Sequence, residues 1–281
     1  MEKIEKYHHT YGNWMSVILN ILLHKRMITA RLKNGLTLML TPFEAGRLAN
    51  FLTNFQIEEL NERYIRFRYA GRSLTFYGYQ YGDLYGAFTE HLPLNVEQRS
   101  VLDVGASIGD TAIYFSIRAN RVIAVEPYPF AFRFLKTNIL ANNITNVFAI
   151  NAGVGAAAGE TLLPDTRSTV GSTALDPAQR PQEGGGVNIP IYSLDDLIDK
   201  YGPFEILKMD CEGCEYDAVL NSNMITEFKE IQIEYHYGPS LLVNKLKQLD
   251  FDVRYTKPWR GHDPEKRNPD IRVGMIIAKR K

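Results

Sequence analysis

Two groups of residues in this 281-residue chain have types and spacings that could do chemistry. The first is Asp103-Val104-Gly105-Ala106-Ser107-Ile108-Gly109-Asp110-Thr111, which follows the apolar residues Val101 and Leu102. Gly105 and Gly109 permit a tight turn and a close approach of backbone to a ligand. A helix opening after that turn would aim its free N–H groups at the same ligand. The second group is Glu126-Pro127, at the end of the next apolar run, Val122–Val125. A carboxylate about twenty residues beyond a glycine turn can accept hydrogen bonds from both hydroxyls of a ribose.

The details of the turn separate its possible ligands. A dinucleotide site wants G-x-G-x-x-G, so that a pyrophosphate meets bare backbone. Here Ser107 and Asp110 stand where the second and third glycines belong. A negative charge at the helix entrance opposes pyrophosphate but suits a ligand carrying ammonium and sulfonium, which points to S-adenosylmethionine. The segment Gly105–Gly109 also fits G-x-S-x-G, the nucleophile elbow of α/β-hydrolases, with Asp210 and His236 following in triad order. That reading leaves Asp103 and Glu126 without a role, and the residues before Val101 do not look like earlier strands of the same sheet.

The elements that must position these groups follow from hydrophobic periodicity. From Ser100 onward, short apolar runs alternate with helical patterns. Strands are predicted at Val101–Val104, Arg121–Val125, Val147–Val154, Glu205–Met209, Ile231–Tyr235, Phe251–Tyr255 and Val273–Ala278. Helices are predicted at Thr111–Ala119 and Pro129–Asn142. Such alternation makes an α/β fold with a doubly wound, mainly parallel seven-stranded sheet. Residues 1–92 read instead as a small α+β extension, and residues 93–281 as the main domain. The extension holds a surface helix at Tyr11–His24, a hairpin in Ile28–Leu40 turning at Asn34-Gly35, and a second hairpin in Tyr64–Tyr79 turning at Ala70-Gly71-Arg72. The helix is expected to dock onto the main domain; lying on a membrane surface is its alternative, with Lys25 and Arg26 at its end. The Gly-, Pro- and Ser-rich stretch Pro164–Pro190 is either a wall of the substrate site or a linker.

Bulk properties exclude some classes. Lys+Arg and Asp+Glu both number 32, so the chain lacks the positive excess usual in nucleic-acid enzymes. No nucleic-acid partner is expected. The longest early apolar run, Met15–Leu23, is too short to span a bilayer, and no secretory signal is visible. A cytoplasmic location follows as the default. Cys211 and Cys214 lack the further pair a zinc site would need and are read as small packing residues.

Val101–Thr111, Glu126-Pro127, Ser193-Leu194-Asp195-Asp196-Leu197, Leu207-Lys208-Met209-Asp210-Cys211-Glu212-Gly213-Cys214-Glu215 and Glu234-Tyr235-His236 together resemble the FkbM family of methyltransferases. The resemblance covers roughly residues 100–236, and the D-x-E-G-x-E element is its most distinctive part. It implies a class I, Rossmann-like methyltransferase fold, S-adenosylmethionine as donor, and a hydroxyl acceptor on a sugar, glycan or small molecule. Carried over by position, Asp103, Gly105 and Gly109 surround the methionine portion of the donor and Glu126 its ribose. Ala106, Ser107, Asp110, Thr111 and Pro127 complete the turn, and Asn151 or Ala152 lies near adenine.

Asp210 ends the strand where this fold places the reacting methyl group, so it counts as both cofactor-binding and catalytic. The sequence there, Asp-Cys-Glu-Gly, lacks the proline-bounded element common in amine-methylating enzymes, which favours oxygen over a nucleobase. A hydroxyl must lose its proton during transfer. Either His236 is the general base with Asp210 orienting the acceptor, or Asp210 and Glu234 hold a divalent cation that acidifies it. Glu234 and His236 share a strand face, with Tyr235 on the other. Glu212 and Glu215 are placed on the helix after the turn, as charges favourable to its dipole. RNA or protein methylation, or nucleoside binding without turnover, are the alternatives. Acceptor identity and oligomeric state are not legible.

Overall fold

Strands buried on both faces need apolar residues at nearly every position, and Val101–Val104, Val122–Val125 and Ile206–Met209 meet that condition. In the computed structural model, which describes residues 2–79, 82–89, 94–164, 186–258 and 272–281, these runs are the centre of a seven-stranded sheet. The chain divides into two compact units, Met1–Glu90 and His91–Lys281.

The first unit contains α1 (Glu2–Thr10), α2 (Trp14–Leu22), β1 (Ile28–Arg31), β2 (Thr37–Leu40) and α3 (Pro42–Asn54). It continues with β3 (Gln56–Leu60), β4 (Tyr64–Tyr69), β5 (Arg72–Tyr77) and α4 (Leu84–Thr89). Both expected hairpins are present: β1 pairs with β2, and β4 with β5, all antiparallel. Four elements go beyond the expectation, namely α1, α3, α4 and β3, which pairs with β4. The start of α3 is fixed by a capping box in which Thr41 accepts from the Glu44 N–H and Glu44 accepts from the Thr41 N–H. The predicted helix Tyr11–His24 is shorter, because Tyr11 is buried and its hydroxyl donates to the Ala45 carbonyl.

The second unit runs β6 (Ser100–Val104), α5 (Asp110–Ser116), β7 (Arg121–Val125), α6 (Pro129–Ala141), β8 (Val147–Ile150), β9 (Gly153–Val154), β10 (Gly159–Pro164) and β11 (Gly186–Tyr192). Then follow α7 (Leu194–Tyr201), β12 (Ile206–Met209), α8 (Cys214–Asn221), β13 (Glu230–Tyr235), α9 (Ser240–Gln248), β14 (Phe251–Tyr255) and β15 (Gly274–Arg280). The large sheet has the order β14-β15-β13-β12-β6-β7-β8. The five strands from β13 to the β8 edge are parallel neighbours, and β15 is antiparallel to both β13 and β14. Alternate residues feed two cores. Leu102, Val104, Ile123, Val125, Leu207 and Met209 pack with α7, α8 and α9 on one face. Val101, Val122, Ala124 and Ile206 pack with α5 and α6 on the other. Each fully buried Leu, Ile or Val contributes about 1.5–3 kcal/mol, so these layers hold the strand ends in fixed positions.

The predicted strand Val147–Val154 is broken. Its second part, β9, leaves the large sheet and pairs with β11, which in turn pairs with β10. The ends of the Pro164–Pro190 stretch therefore extend strands, while residues 165–185 lie outside the described residues. The Ser193–Leu197 motif is a structural fastening. Ser193 and Asp196 form a capping box at the start of α7, and Asp195 accepts from the Ser222 hydroxyl and the N–H groups of Asn223 and Met224.

Candidate active site

The chain leaves β6 toward β7 and β8 on one side, then returns to β12 on the other, so the order reverses between β6 and β12. Ligands of open α/β sheets bind beyond the strand ends at such a point. The β6–α5 turn lies there. Gly105 has φ +76°, and a Cβ on it would stand 1.7 Å from the Asp210 carbonyl oxygen, so no other residue fits. Gly109 has φ +92°, and Ser107 also adopts a left-handed conformation at φ 48°. The turn is wound tightly enough to bring the backbones of β6 and β12 together. Ala106 is buried beneath it, and Asp110 and Thr111 begin α5.

Glu126 is buried at the end of β7 and anchored before any ligand arrives. Its Oε2 accepts from the Ser107 N–H at 2.8 Å and its Oε1 from the Tyr128 N–H at 2.9 Å. Burial raises its carboxyl to about 7, against the lowering influence of those two N–H groups. A carboxylate oxygen has about two acceptor positions, so one on each oxygen is left for a diol. Asn151 fixes the same corner by donating to the carbonyls of Glu126 and Pro127 at 2.8 and 3.0 Å. Ala152 is fully buried in the sheet core.

Asp103 is fully buried on the opposite side of the turn. Its Oδ2 accepts from the Thr111 hydroxyl at 2.7 Å. Its Oδ1 stands 3.1 Å from the Lys208 ammonium, yet among the described residues receives no well-directed hydrogen bond. Lys208 sits in the middle of the apolar run Ile206–Met209 and also donates to the Gly105 carbonyl at 3.1 Å. Burial alone would lower its pKa, but Asp103, Asp210 and Asp110 outweigh that and raise it. Buried lysines are rare unless paired, and this one ties the glycine turn to the strand carrying Asp210. The site's carboxylates outnumber its cations, an environment suited to a ligand bearing ammonium and sulfonium, with a diol at Glu126. The residues fit S-adenosylmethionine.

The end of β13 completes the site. His236 is buried; its Nδ1 lies 2.9 Å from Glu215 Oε1 and its Nε2 3.2 Å from Glu212 Oε2. Asp210 and Glu234 stand farther from Nε2, at 4.0 and 3.9 Å. Burial would lower the imidazole pKa, but hydrogen bonds to Glu212 and Glu215 carry it up to about 12. Those two carboxylates favour the imidazolium form of His236. Glu234 is raised as well: burial, then repulsion from Asp210, carries it to about 8. Burial likewise raises Asp210, opposed by Lys208. Tyr235 points to the other face, with its hydroxyl donating to the Thr256 carbonyl.

Asp210, Glu234 and His236 are thus together, as are Asp103, the glycine turn and Glu126. Two residues carry more than their sequence reading assigned. Glu215, expected as a helix-terminal charge, is fully buried and accepts from the Gly213 and His236 N–H groups as well as facing the ring. Lys208 was absent from the candidate set, although a lysine inside an otherwise apolar central strand was the available signal. Glu212 lies before α8 rather than on it, in a left-handed conformation at φ 57°. Cys211 and Cys214, read as packing residues, are joined as a disulfide across the same turn. Asp210, Glu212 and His236 also offer ligand atoms within 4.8 Å of one another, types that can hold a metal ion.

Residues 103–253, more than half of the chain, match the family described as the Methyltransferase FkbM domain. Methyltransferase 1 of Beauveria bassiana is 24% identical over 211 residues, covering 64% of this chain and 80% of that protein. Among solved structures, Trm5b from Pyrococcus abyssi aligns with a TM-score of 0.45 at 12% identity, over 84% of this chain and 68% of its own. M. jannaschii TYW2 in complex with AdoMet aligns with a TM-score of 0.41 at 15% identity, over 79% and 89%. The chain belongs to the FkbM methyltransferase family and is an S-adenosylmethionine-dependent methyltransferase.

Proposed function

We propose that the enzyme methylates a hydroxyl oxygen of a sugar, glycan or other small molecule, with Glu234 as the group that takes the hydroxyl proton. S-adenosylmethionine, when bound, supplies a methyl group activated by a positively charged sulfur. Asp103, Gly105 and Gly109 hold its methionine portion, Glu126 its ribose, and Asn151 the corner beside its adenine. The acceptor hydroxyl lies against Asp210, which orients it. Glu234 would receive the proton as the oxygen–carbon bond forms and the methyl–sulfur bond breaks, the donor leaving as the neutral thioether.

His236 acts as a positioning residue. A ring already protonated cannot accept another proton, so the expectation of a histidine base gives way to a carboxylate base. The imidazolium instead keeps Glu212 and Glu215 paired and offsets part of the repulsion between Asp210 and Glu234. The observation that carries this reading is the placement of two neighbours: the His236 ring is held between Glu212 and Glu215, which raise it to about 12, while Glu234 beside it is raised to about 8 by burial and by Asp210. A general base is most useful when its pKa is near the working pH.

A second reading has a divalent cation on Asp210, Glu212 and His236, favoured by their 4.8 Å span. Dialysis against a chelator separates the two: a carboxylate base keeps its rate, whereas a metal enzyme loses it and regains it with Mg²⁺ or Mn²⁺. The acceptor class is tested with donor labelled on its methyl group. Label recovered as a methyl ether on glycosides or oligosaccharides supports the proposal. Label recovered only in RNA or protein overturns it.

A further inference from the structure

The helix α2 is apolar on two opposite sides. Val17 is fully buried, and Trp14 and Ile21 pack with it against the core of the first unit. Met15, Leu19, Leu22 and Leu23 are 56–69% exposed. Their spacing, i, i+4, i+7 and i+8, puts these four on one stripe of the helix. A single exposed leucine needs no explanation, but a contiguous stripe marks an interaction surface.

The charge along this stretch of the sequence is one-sided. Between Glu5 and Glu44 the chain has no acidic residue, but it has Lys6, Lys25, Arg26, Arg31 and Lys33, plus His8, His9 and His24. That is five positive charges in a chain whose formal net charge is zero. Lys25 and Arg26 follow Leu22 and Leu23 after the single residue His24, and both are exposed. Apolar side chains bordered by cations complement a surface that is apolar beneath and negative above, which is the interface of an anionic bilayer. No helix among the described residues is long and apolar enough to cross a membrane.

We propose that α2 and the turn after it form a peripheral docking face for anionic membranes. Met15, Leu19, Leu22 and Leu23 enter the headgroup–acyl boundary, while Lys25 and Arg26 lie among the headgroup phosphates. None of these residues belongs to the methyl-transfer site, so the inference stands apart from the acceptor proposal.

The test is flotation of the full chain with vesicles of phosphatidylcholine alone, or of phosphatidylcholine containing phosphatidylglycerol. The protein is expected to float with the anionic vesicles only, and less so at high salt. The double variant L19E/L22E should abolish flotation. K25Q/R26Q should weaken it roughly tenfold or more, since each cation near a charged membrane is worth about a fivefold change. Because these side chains are exposed, the variants should keep the wild-type circular dichroism and cofactor affinity; M15S/L19S serves as a second, milder disruption. Absence of flotation with anionic vesicles overturns the proposal, as does flotation that L19E/L22E leaves unchanged. So does a wild-type dimer, seen by light scattering, that L19E/L22E converts to monomer without any vesicle binding, since the stripe would then be covered by a second copy.

Discussion

If Glu234 is the base, the rate must follow its ionisation. With a carboxyl at about 8, the reactive fraction is about 1% at pH 6, about 10% at pH 7 and about 90% at pH 9. The rate constant for transfer, measured with saturating donor and acceptor, should therefore climb roughly tenfold from pH 7 to pH 9. A histidine base of ordinary pKa would already be about three-quarters active at pH 7 and would gain little more. The perturbation is Glu234→Gln, which keeps size and removes the titration. It should lower the rate by about 10²–10⁴-fold and flatten the limb near pH 8. His236→Gln leaves Glu215 buried without its cation, so it should cost about 3–5 kcal/mol of stability. A limb centred near 6.5 in the wild type, abolished by His236→Gln and kept in Glu234→Gln, would refute the reasoning. Stability runs opposite to rate. Both groups have folded pKa values above their unfolded ones, so both favour the folded state at low pH. That contribution falls as pH rises, from about 4.5 through 8 for Glu234 and from about 6.5 through 12 for His236. The melting temperature should therefore decline over the range in which the rate climbs.

Other outcomes follow from the same geometry. Glu126→Ala should weaken S-adenosylmethionine binding by about 1–3 kcal/mol, read by calorimetry, because hydrogen bonds to a charged acceptor are lost. Lys208→Met should cost about 3–5 kcal/mol in denaturant unfolding, since Asp103 is then left buried and unpaired. Replacing Cys211 and Cys214 together with serine should cost about 2 kcal/mol at most, because the loop they close is short. The same change should lower kcat/KM, because the tie across the turn carrying Asp210 and Glu212 is gone; an unchanged kcat/KM would make the disulfide irrelevant to the site.

The parts of the fold that could be read from sequence are those set by local pattern. The central strands are continuous apolar runs, and the hairpin turns need the left-handed backbone that Gly35, Ala70 and Gly71 adopt. Helix α3 was missed despite a readable signal, the Thr41-Pro42-Phe43-Glu44 start. The break between β8 and β9 had no local signal, because it depends on pairing with β11 some thirty-eight residues on. At the site, Glu126 and the glycine turn were legible because one strand–turn–helix unit contains both. Lys208 and Glu215 were not, since their partners Asp103 and His236 arrive from other strands. The raised pKa of His236 was hidden for the same reason: it comes from Glu212 and Glu215, which the turn before α8 and the first turn of α8 bring against the end of β13.

The β6–β12 switch point should accept a sulfonium nucleoside. Isothermal titration of the purified chain with S-adenosylmethionine, and with the demethylated product S-adenosylhomocysteine, tests this most directly. Saturable heat at a single site, weakened by Glu126→Ala, is the predicted result. No heat with either ligand, alongside saturable binding of a nicotinamide dinucleotide, would contradict it.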